Sequence, residues 1–319
     1  MHLPSPLDAI LADVPSLLPA HEPLATCSRC AMARPVSPGR PAFTADARCC
    51  TYHPKLVNFL AGQALLAGGP GADAIRRRLQ TPDGCYPLGI EPPADYQAAW
   101  REDVVRRFGS EPDLTCPFWT EGELNCTIHA HRDAVCRTWF CRITHGGRGY
   151  DSWMAARDLI RSTERLVAEA VLHDPADHDG DMERYYVACA QRAAALDPAD
   201  FRTGRTDKLV QMLRSRAERR DQPMPERPIP YVARWTVHDD RVELESWSVY
   251  DPFVAPRWIF VLFSKLDGQT HWRDALQATI DEVDDVVPPD LPWTLWMRGL
   301  LAHPDEATAA EPRIDVIPR

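Results

Sequence analysis

Lysine is nearly missing from this chain: of 36 basic residues, only Lys55, Lys208 and Lys265 are lysines, and 30 prolines accompany the arginine bias. Both features read as coding bias rather than function. Long apolar runs are missing as well. The longest, "WIFVLF" at 258–263, falls far short of a bilayer span and argues against a membrane partner. The N-terminus, "MHLPSPLDAILADVPSLLPAHEP", has neither a basic start nor an uninterrupted apolar stretch before a cleavage site. A cytoplasmic location is the resulting expectation. A formal net charge of −10 argues against a nucleic-acid partner, because phosphate binding needs a basic surface. The dinucleotide and phosphate-loop patterns are absent, as are the nucleophile elbow, the H-E-x-x-H zinc motif and the C-x3-C-x2-C spacing. "GGPGAD" at 68–73 and "GGRGYD" at 146–151 follow no strand and read as helix connections.

What the chain does hold is a core and thiols. Its 45% hydrophobic content is ordinary for a folded protein of 319 residues. Apolar residues at helical spacing mark helices after Pro54, at Ala72 to Leu79, and over "PADYQAAWREDVVRRFG", where Tyr96, Trp100, Val104 and Phe108 recur every fourth position. Further helices are expected at 152–172, 181–195 and 206–220. The proline-rich "DQPMPERPIP" marks a boundary near 221–230. Beyond it, "YVARWTVHDDRVELESWSVY" reads as a β-hairpin turning at His238 to Asp240, followed by helices at 257–267, 270–283 and 292–302. The expected fold class is α+β and mostly helical. It divides into a cysteine-rich metal-binding region (1–150), a helical segment (151–222) and a C-terminal α+β domain (228–319).

Ten cysteines in a reducing compartment point to metal or redox chemistry rather than disulfides. Eight fall into two sets. Cys27 and Cys30 form "CSRC", followed by the adjacent Cys49 and Cys50; Cys116, Cys126, Cys136 and Cys141 lie in "CPFWTEGELNCTIHAHRDAVCRTWFC". A C-x2-C turn lets two thiolates converge on one ion. Neighbouring side chains diverge, so Cys49 and Cys50 are expected to face two metals, or two irons of one cluster, and the two sets to meet in space. Cys85 and Cys189 stand alone and read as ordinary buried residues. Soft thiolates select zinc, iron–sulfur clusters or Cu(I). Gaps of nine, nine and four residues in the second set suit a bulky cluster, of 4Fe–4S type, with zinc and mononuclear iron as alternatives. His53, His129 and His131 are alternative ligands. Arg132, Arg137 and Arg142 are placed to offset the charge of a thiolate centre, or else to pair with Asp133, Glu121 or Glu123. Arg137 is the first choice for a substrate carboxylate.

The order C-x2-C, then Cys-Cys, then Cys116-Pro117-Phe118, Cys126, Ile128, Arg132, Cys136-Arg137 and Cys141 resembles the YkgJ-type cysteine cluster family of zinc- or iron-chelating proteins, which includes the flagellin lysine-N-methylase. The resemblance covers residues 27–141. It departs from the usual pattern in the long gap between Cys30 and Cys49 and in "IHAHRD", where Tyr-Glu and Arg-Pro pairings are common. It implies a metal or iron–sulfur centre in a protein that modifies a protein or peptide substrate. The competing class is non-catalytic, a zinc-stabilised interaction module or a metal sensor; whether the chain is an enzyme stays open at this point. A shorter resemblance, over "RWIFVLFSKLDGQTHWRDALQATID", is to the PqqD-like winged-helix fold that grips leader peptides. It implies Leu262, Phe263 and Leu266 in the core, Gly268 as a helix C-cap and Thr270 as the next N-cap.

Overall fold

The computed structural model describes residues 3–19, 22, 27–33, 42–81, 83–102, 107–120 and 126–306. It is a mixed, mostly helical α+β structure with small antiparallel sheets. The N-terminal part contains α1 (Leu7–Ile10), β1 (Leu56–Val57), α2 (Asn58–Ala67), α3 (Gly69–Leu79), β2 (Cys85–Tyr86), β3 (Gly89–Ile90), α4 (Ala94–Glu102) and the single turn α5 (Ala134–Arg137). Three long helices follow: α6 (Gly146–Ala170), α7 (Met182–Ala194) and α8 (Gly204–Arg220).

α2 packs on α7, and α6 on α8. α2 is apolar around most of its circumference because it lies in the centre of the core, buried from Asn58 to Gly62 and again at Ala64 and Leu65. The buried Asn58 amide is satisfied, since Nδ2 donates to the Pro87 and Ala168 carbonyls, both at 3.0 Å. α6 buries Trp153, Ala156, Ile160, Thr163 and Val167, alternating three and four residues apart, against the same core. α7 starts at Asp181, whose carboxylate accepts the Glu183 and Arg184 amides, and buries Tyr185, Tyr186, Cys189 and Ala193.

The C-terminal part contains β4 (Ile229–Pro230), β5 (Arg234–Val237), β6 (Arg241–Glu245), β7 (Phe253–Pro256), α9 (Ile259–Lys265), α10 (Trp272–Glu282), α11 (Leu291–Met297) and β8 (Leu301–Ala302). β5 and β6 form the hairpin read from the sequence, with Trp235 opposite Leu244 and Val237 opposite Val242. β7 adds a third strand beside β6, and β4 pairs with β8. Val242, Leu244 and Ala255 point from this sheet into a second core with Ile259, Leu262, Leu295 and Trp296. Several contacts fasten it to the first part, among them the Arg219–Glu306 ion pair and the Phe43–Tyr250 ring contact. Trp247 lies in the N-terminal core, and Arg148 of α6 stacks 3.4 Å over the Trp296 ring while donating to the Trp296 carbonyl.

Several elements differ from the sequence reading. Gly68 alone connects α2 to α3, in keeping with the sequence reading, but the rest of that glycine-rich stretch and the whole of 146–151 are helical, since α3 starts at Gly69 and α6 at Gly146. Gly146 has φ +51°, and a Cβ there would sit 2.0 Å from the Arg298 carbonyl oxygen; the glycine is set by a long-range contact that local pattern does not carry. Leu56 and Val57 form a strand against Gly89 and Ile90 before α2 begins. The N-cap of α10 is His271, whose ring accepts the Arg273 amide, while Asp267 accepts the Gln269 and Thr270 amides. Phe263 is only half-buried, as is Cys85, whose Sγ faces the Arg78 and Thr81 carbonyls. Val104 lies outside the described residues.

Candidate metal centre

The first cysteine set reaches the core through a short turn. Arg48–Thr51 form one 3₁₀ turn in which Arg48 has φ +53°, a left-handed conformation that a non-glycine residue adopts only where its surroundings hold it. The returning chain at Phe108–Gly109 clamps this turn. Gly109 N–H donates to Thr51 Oγ1, and the Gly109 carbonyl accepts the Thr44 amide, both at 2.7 Å.

The second set closes onto the first. Cys116 N–H donates to the Cys50 carbonyl at 2.6 Å, so residues far apart in sequence become neighbours. A bridge between Trp119 and Cys126, with Thr127 N–H donating to the Phe118 carbonyl, folds Cys126 back beside Cys116. Asp133 caps α5 by accepting the Cys136 amide at 2.9 Å, which fixes Cys136 at the first turn.

Packing separates the thiols into two adjoining groups, and Cys49 and Cys50 fall on opposite sides. Cys30, Cys49 and Cys141 pack around Met32, Phe43 and Phe108; Cys50, Cys116 and Cys126 pack against the main core. The electrostatics link thiols within each group and also across the boundary. Burial pushes Cys27, Cys30 and Cys141 up, and a charge on Cys49 pushes each further. Burial likewise raises Cys116, to about 12, and Cys136, and these two and Cys126 form a second coupled group with Asp133. Cys49 is held well above the usual thiol range, first by its side-chain hydrogen bond with Cys50 and then by burial. A charge on Cys49 also raises Cys126 across the boundary, so the two groups lie within electrostatic reach of one another. Cys85 and Cys189 belong to neither; Cys189 is fully buried on α7, with Sγ 3.9 Å from the Val171 carbonyl.

Among the described residues no three His, Cys, Asp or Glu side chains stand in a group that could hold a metal ion. Other side chains around the thiols nevertheless have a chemistry that fits a thiolate-held group. Arg48 Nε and Nη1, Arg132 Nε, Trp119 Nε1 and Trp139 Nε1 are buried N–H groups with no hydrogen-bond partner among the described residues. Buried donors without a partner among the described residues also occur away from the thiols, at Arg78, Arg148, Arg157 and Trp247, but N–H donors beside sulfur are what a thiolate centre recruits. Arg48 favours the thiolates of Cys27 and Cys30 in the first group, and Arg132 reaches both groups, favouring the thiolates of Cys27, Cys49 and Cys126. Arg142 does the same for Cys141.

Arg137 is placed differently. It is buried, and its Nε and Nη2 donate to the Arg132 carbonyl while Nη2 also reaches the Ala130 carbonyl at 3.0 Å, which holds the backbone of the 130–132 segment. Of the histidines, His53 stacks on Tyr96 with its Nε2 3.1 Å from the Thr115 carbonyl, and burial lowers its pKa to about 4. His129 is exposed and His131 half-buried. Glu121 and Glu123 lie outside the described residues.

Beside the second group lies a cavity of about 240 Å³, lined by Tyr52, the residues of β1 and β3, Asp133 and Glu164. Glu164 Oε2 accepts the Ala134 amide at 3.3 Å, and its Oε1 is buried without a partner among the described residues. Burial, and then the nearby Asp133, raises Glu164 to about 8. Sequence reasoning missed both Glu164 and Arg48. A carboxylate on the buried stripe of an amphipathic helix was a readable sign of the first; the left-handed backbone of the second was not readable. No family model, no curated protein and no solved structure matches the chain.

Proposed function

We propose that this protein binds metal through its eight clustered cysteines, as an iron–sulfur cluster of 4Fe–4S type in the first reading, and that it acts on a protein or peptide substrate. The observation that carries the reading is the convergence of two distant cysteine sets, with Cys49 and Cys50 packed against different clusters in two adjoining thiol groups, beside buried N–H donors that have no partner among the described residues. Cys27, Cys30, Cys49 and Cys141 would hold one centre; Cys50, Cys116, Cys126 and Cys136 would hold the other. Arg48 and Arg132 would offset the thiolate charge, and an iron–sulfur centre would supply electron transfer whose potential such N–H donors raise. Arg137 would act indirectly, by fixing the backbone of Arg132.

The YkgJ-type resemblance supports modification of a protein or peptide, and the substrate would meet the centre at the cavity floored by Asp133 and Glu164. The C-terminal domain, winged-helix-like by its PqqD-like resemblance, would hold the target; Leu262 and Leu266 in its core and Gly268 at φ +78° accord with that reading. Retention of reduced thiols suits a cytoplasmic location. A second reading, a zinc-stabilised non-catalytic module, is favoured by one feature, the Cys27–Arg29 turn that could close with Cys49 and Cys141 into a four-thiolate site.

Anaerobic purification with metal and acid-labile sulfide analysis tests both. Iron with sulfide, and visible absorbance that bleaches with dithionite, supports the cluster. Colourless protein with stoichiometric zinc supports the module. Protein that takes up neither metal refutes both.

A further inference from the structure

The face between α6 and α8 carries a charge arrangement that the thiol centre does not use. Arg161 and Arg165 stand one turn apart on α6, and Arg205 and Lys208 one turn apart at the start of α8. All four are exposed and line one cavity of about 620 Å³. Asp158 is the one carboxylate in its lining, and it faces Arg157 at 3.8 Å. Of the four cations, only Arg165 forms an ion pair among the described residues, with Glu169 at 2.7 Å. Four cations against one carboxylate, in a chain of net charge −10, is a local reversal of sign. Like charges gathered in a concave wall repel one another and focus a positive potential into the space they enclose. Gly204 adds access, since nothing lies within 4 Å of where its Cβ would be, and the positive end of the α8 dipole points to the same place.

We propose that this groove binds a compact polyphosphate group, gripped by Arg161, Arg165, Arg205 and Lys208. The volume lies in the range of small-molecule sites, and guanidinium forks match phosphate oxygens in pairs. No Phe, Tyr or Trp lines it, so it lacks the stacking platform that a nucleobase requires. Arg161 and Arg165 also line the cavity floored by Asp133 and Glu164, so the bound anion stands next to the thiol centre. The assignment rests on the groove alone and holds whichever metal the cysteines bind.

Calorimetric titration of the full chain with inorganic tripolyphosphate tests it. The wild type should bind, more weakly as salt rises, and the Arg161→Ala, Lys208→Ala double variant should bind at least about tenfold more weakly, about 1.4 kcal/mol. Both side chains are exposed, so the fold should survive, which circular dichroism checks. An Arg77→Ala, Arg192→Ala variant, equal in charge and exposed elsewhere, should bind like the wild type. Because tripolyphosphate chelates, metal content is measured before and after titration. Absence of binding, equal loss in the two double variants, heat that tracks metal loss, or tighter binding of an oligoglutamate peptide would each overturn the assignment.

Discussion

Gly62 sits where α2 and α7 cross, and replacing it with alanine reverses the usual effect of that change. In a helix interior Gly→Ala ordinarily gains about 1 kcal/mol. Here the added Cβ would lie 1.9 Å from the Tyr186 carbonyl oxygen, 2.6 Å from its carbon and 2.9 Å from the Ala190 Cβ. Ordinary contact needs roughly 3.5 Å, and the obstructing atoms are backbone, which cannot rotate away. The helices must therefore part by more than an ångström at the centre of the main core. A gap of that size forfeits about half of the dispersion well across the facing side chains, and overpacking of cores costs about 1–3 kcal/mol or more. Against the intrinsic gain, the net expectation is a loss of about 2 kcal/mol. The strain would spread, because Tyr186 Oη donates to the Tyr86 and Gly89 carbonyls and so links α7 to the small sheet. Gly204→Ala supplies the contrast. With open space around the new Cβ and a φ outside the left-handed region, it should be neutral or stabilising by about 0.5 kcal/mol. Urea midpoints for both variants, followed by tryptophan fluorescence and circular dichroism, decide the matter. A Gly62→Ala protein as stable as the wild type would refute the crossing geometry.

Three further outcomes are expected. Glu164 is raised from the usual 4.5 to about 8, so the folded chain keeps a proton that the unfolded chain releases, and stability should fall with rising pH between those values. Glu164→Gln removes this dependence; its stability relative to the wild type should grow from pH 5 to pH 8 at up to about 1.4 kcal/mol per unit, and a constant difference would contradict the burial of the carboxylate. Arg48→Gly relieves a left-handed residue worth about 1 kcal/mol of strain but removes a guanidinium from the thiols. Its metal should yield to a competing chelator at about tenfold lower concentration while the fold is no less stable; unchanged chelator resistance would show that Arg48 does not serve the centre. Chelation of the wild type should lower its thermal midpoint, since metal binding at a thiolate site is coupled to folding, and an unchanged midpoint would count against that coupling.

Local pattern carried much of the fold. The alternation in β5 and β6 around His238 to Asp240 and the apolar stripes of α6, α7 and α8 are periodic signals, and they place elements that the tertiary structure retains. What local pattern could not carry was set by contacts across the chain. Gly146 starts a helix because Arg298 passes beside it, and Leu56–Val57 become a strand because Gly89–Ile90 lies alongside. The same division runs through the candidate site. Eight cysteines could be picked out by spacing; Cys49 and Cys50 pack against different clusters, yet their side chains stay hydrogen-bonded to each other, which adjacency alone does not foretell. Which distant thiols each would meet depended on the return of the chain at Phe108–Gly109 and Cys116, a tertiary path with no sequence signature.

The central claim is that the two cysteine sets together bind metal, and metal per chain in three single variants tests it most directly. Cys27→Ser takes a thiol from the first group and Cys136→Ser one from the second, while Cys189→Ser alters a buried thiol on α7 outside both. After anaerobic purification, the first two should each carry clearly less metal than the wild type and the third should match it. Full occupancy in both Cys27→Ser and Cys136→Ser would contradict the account.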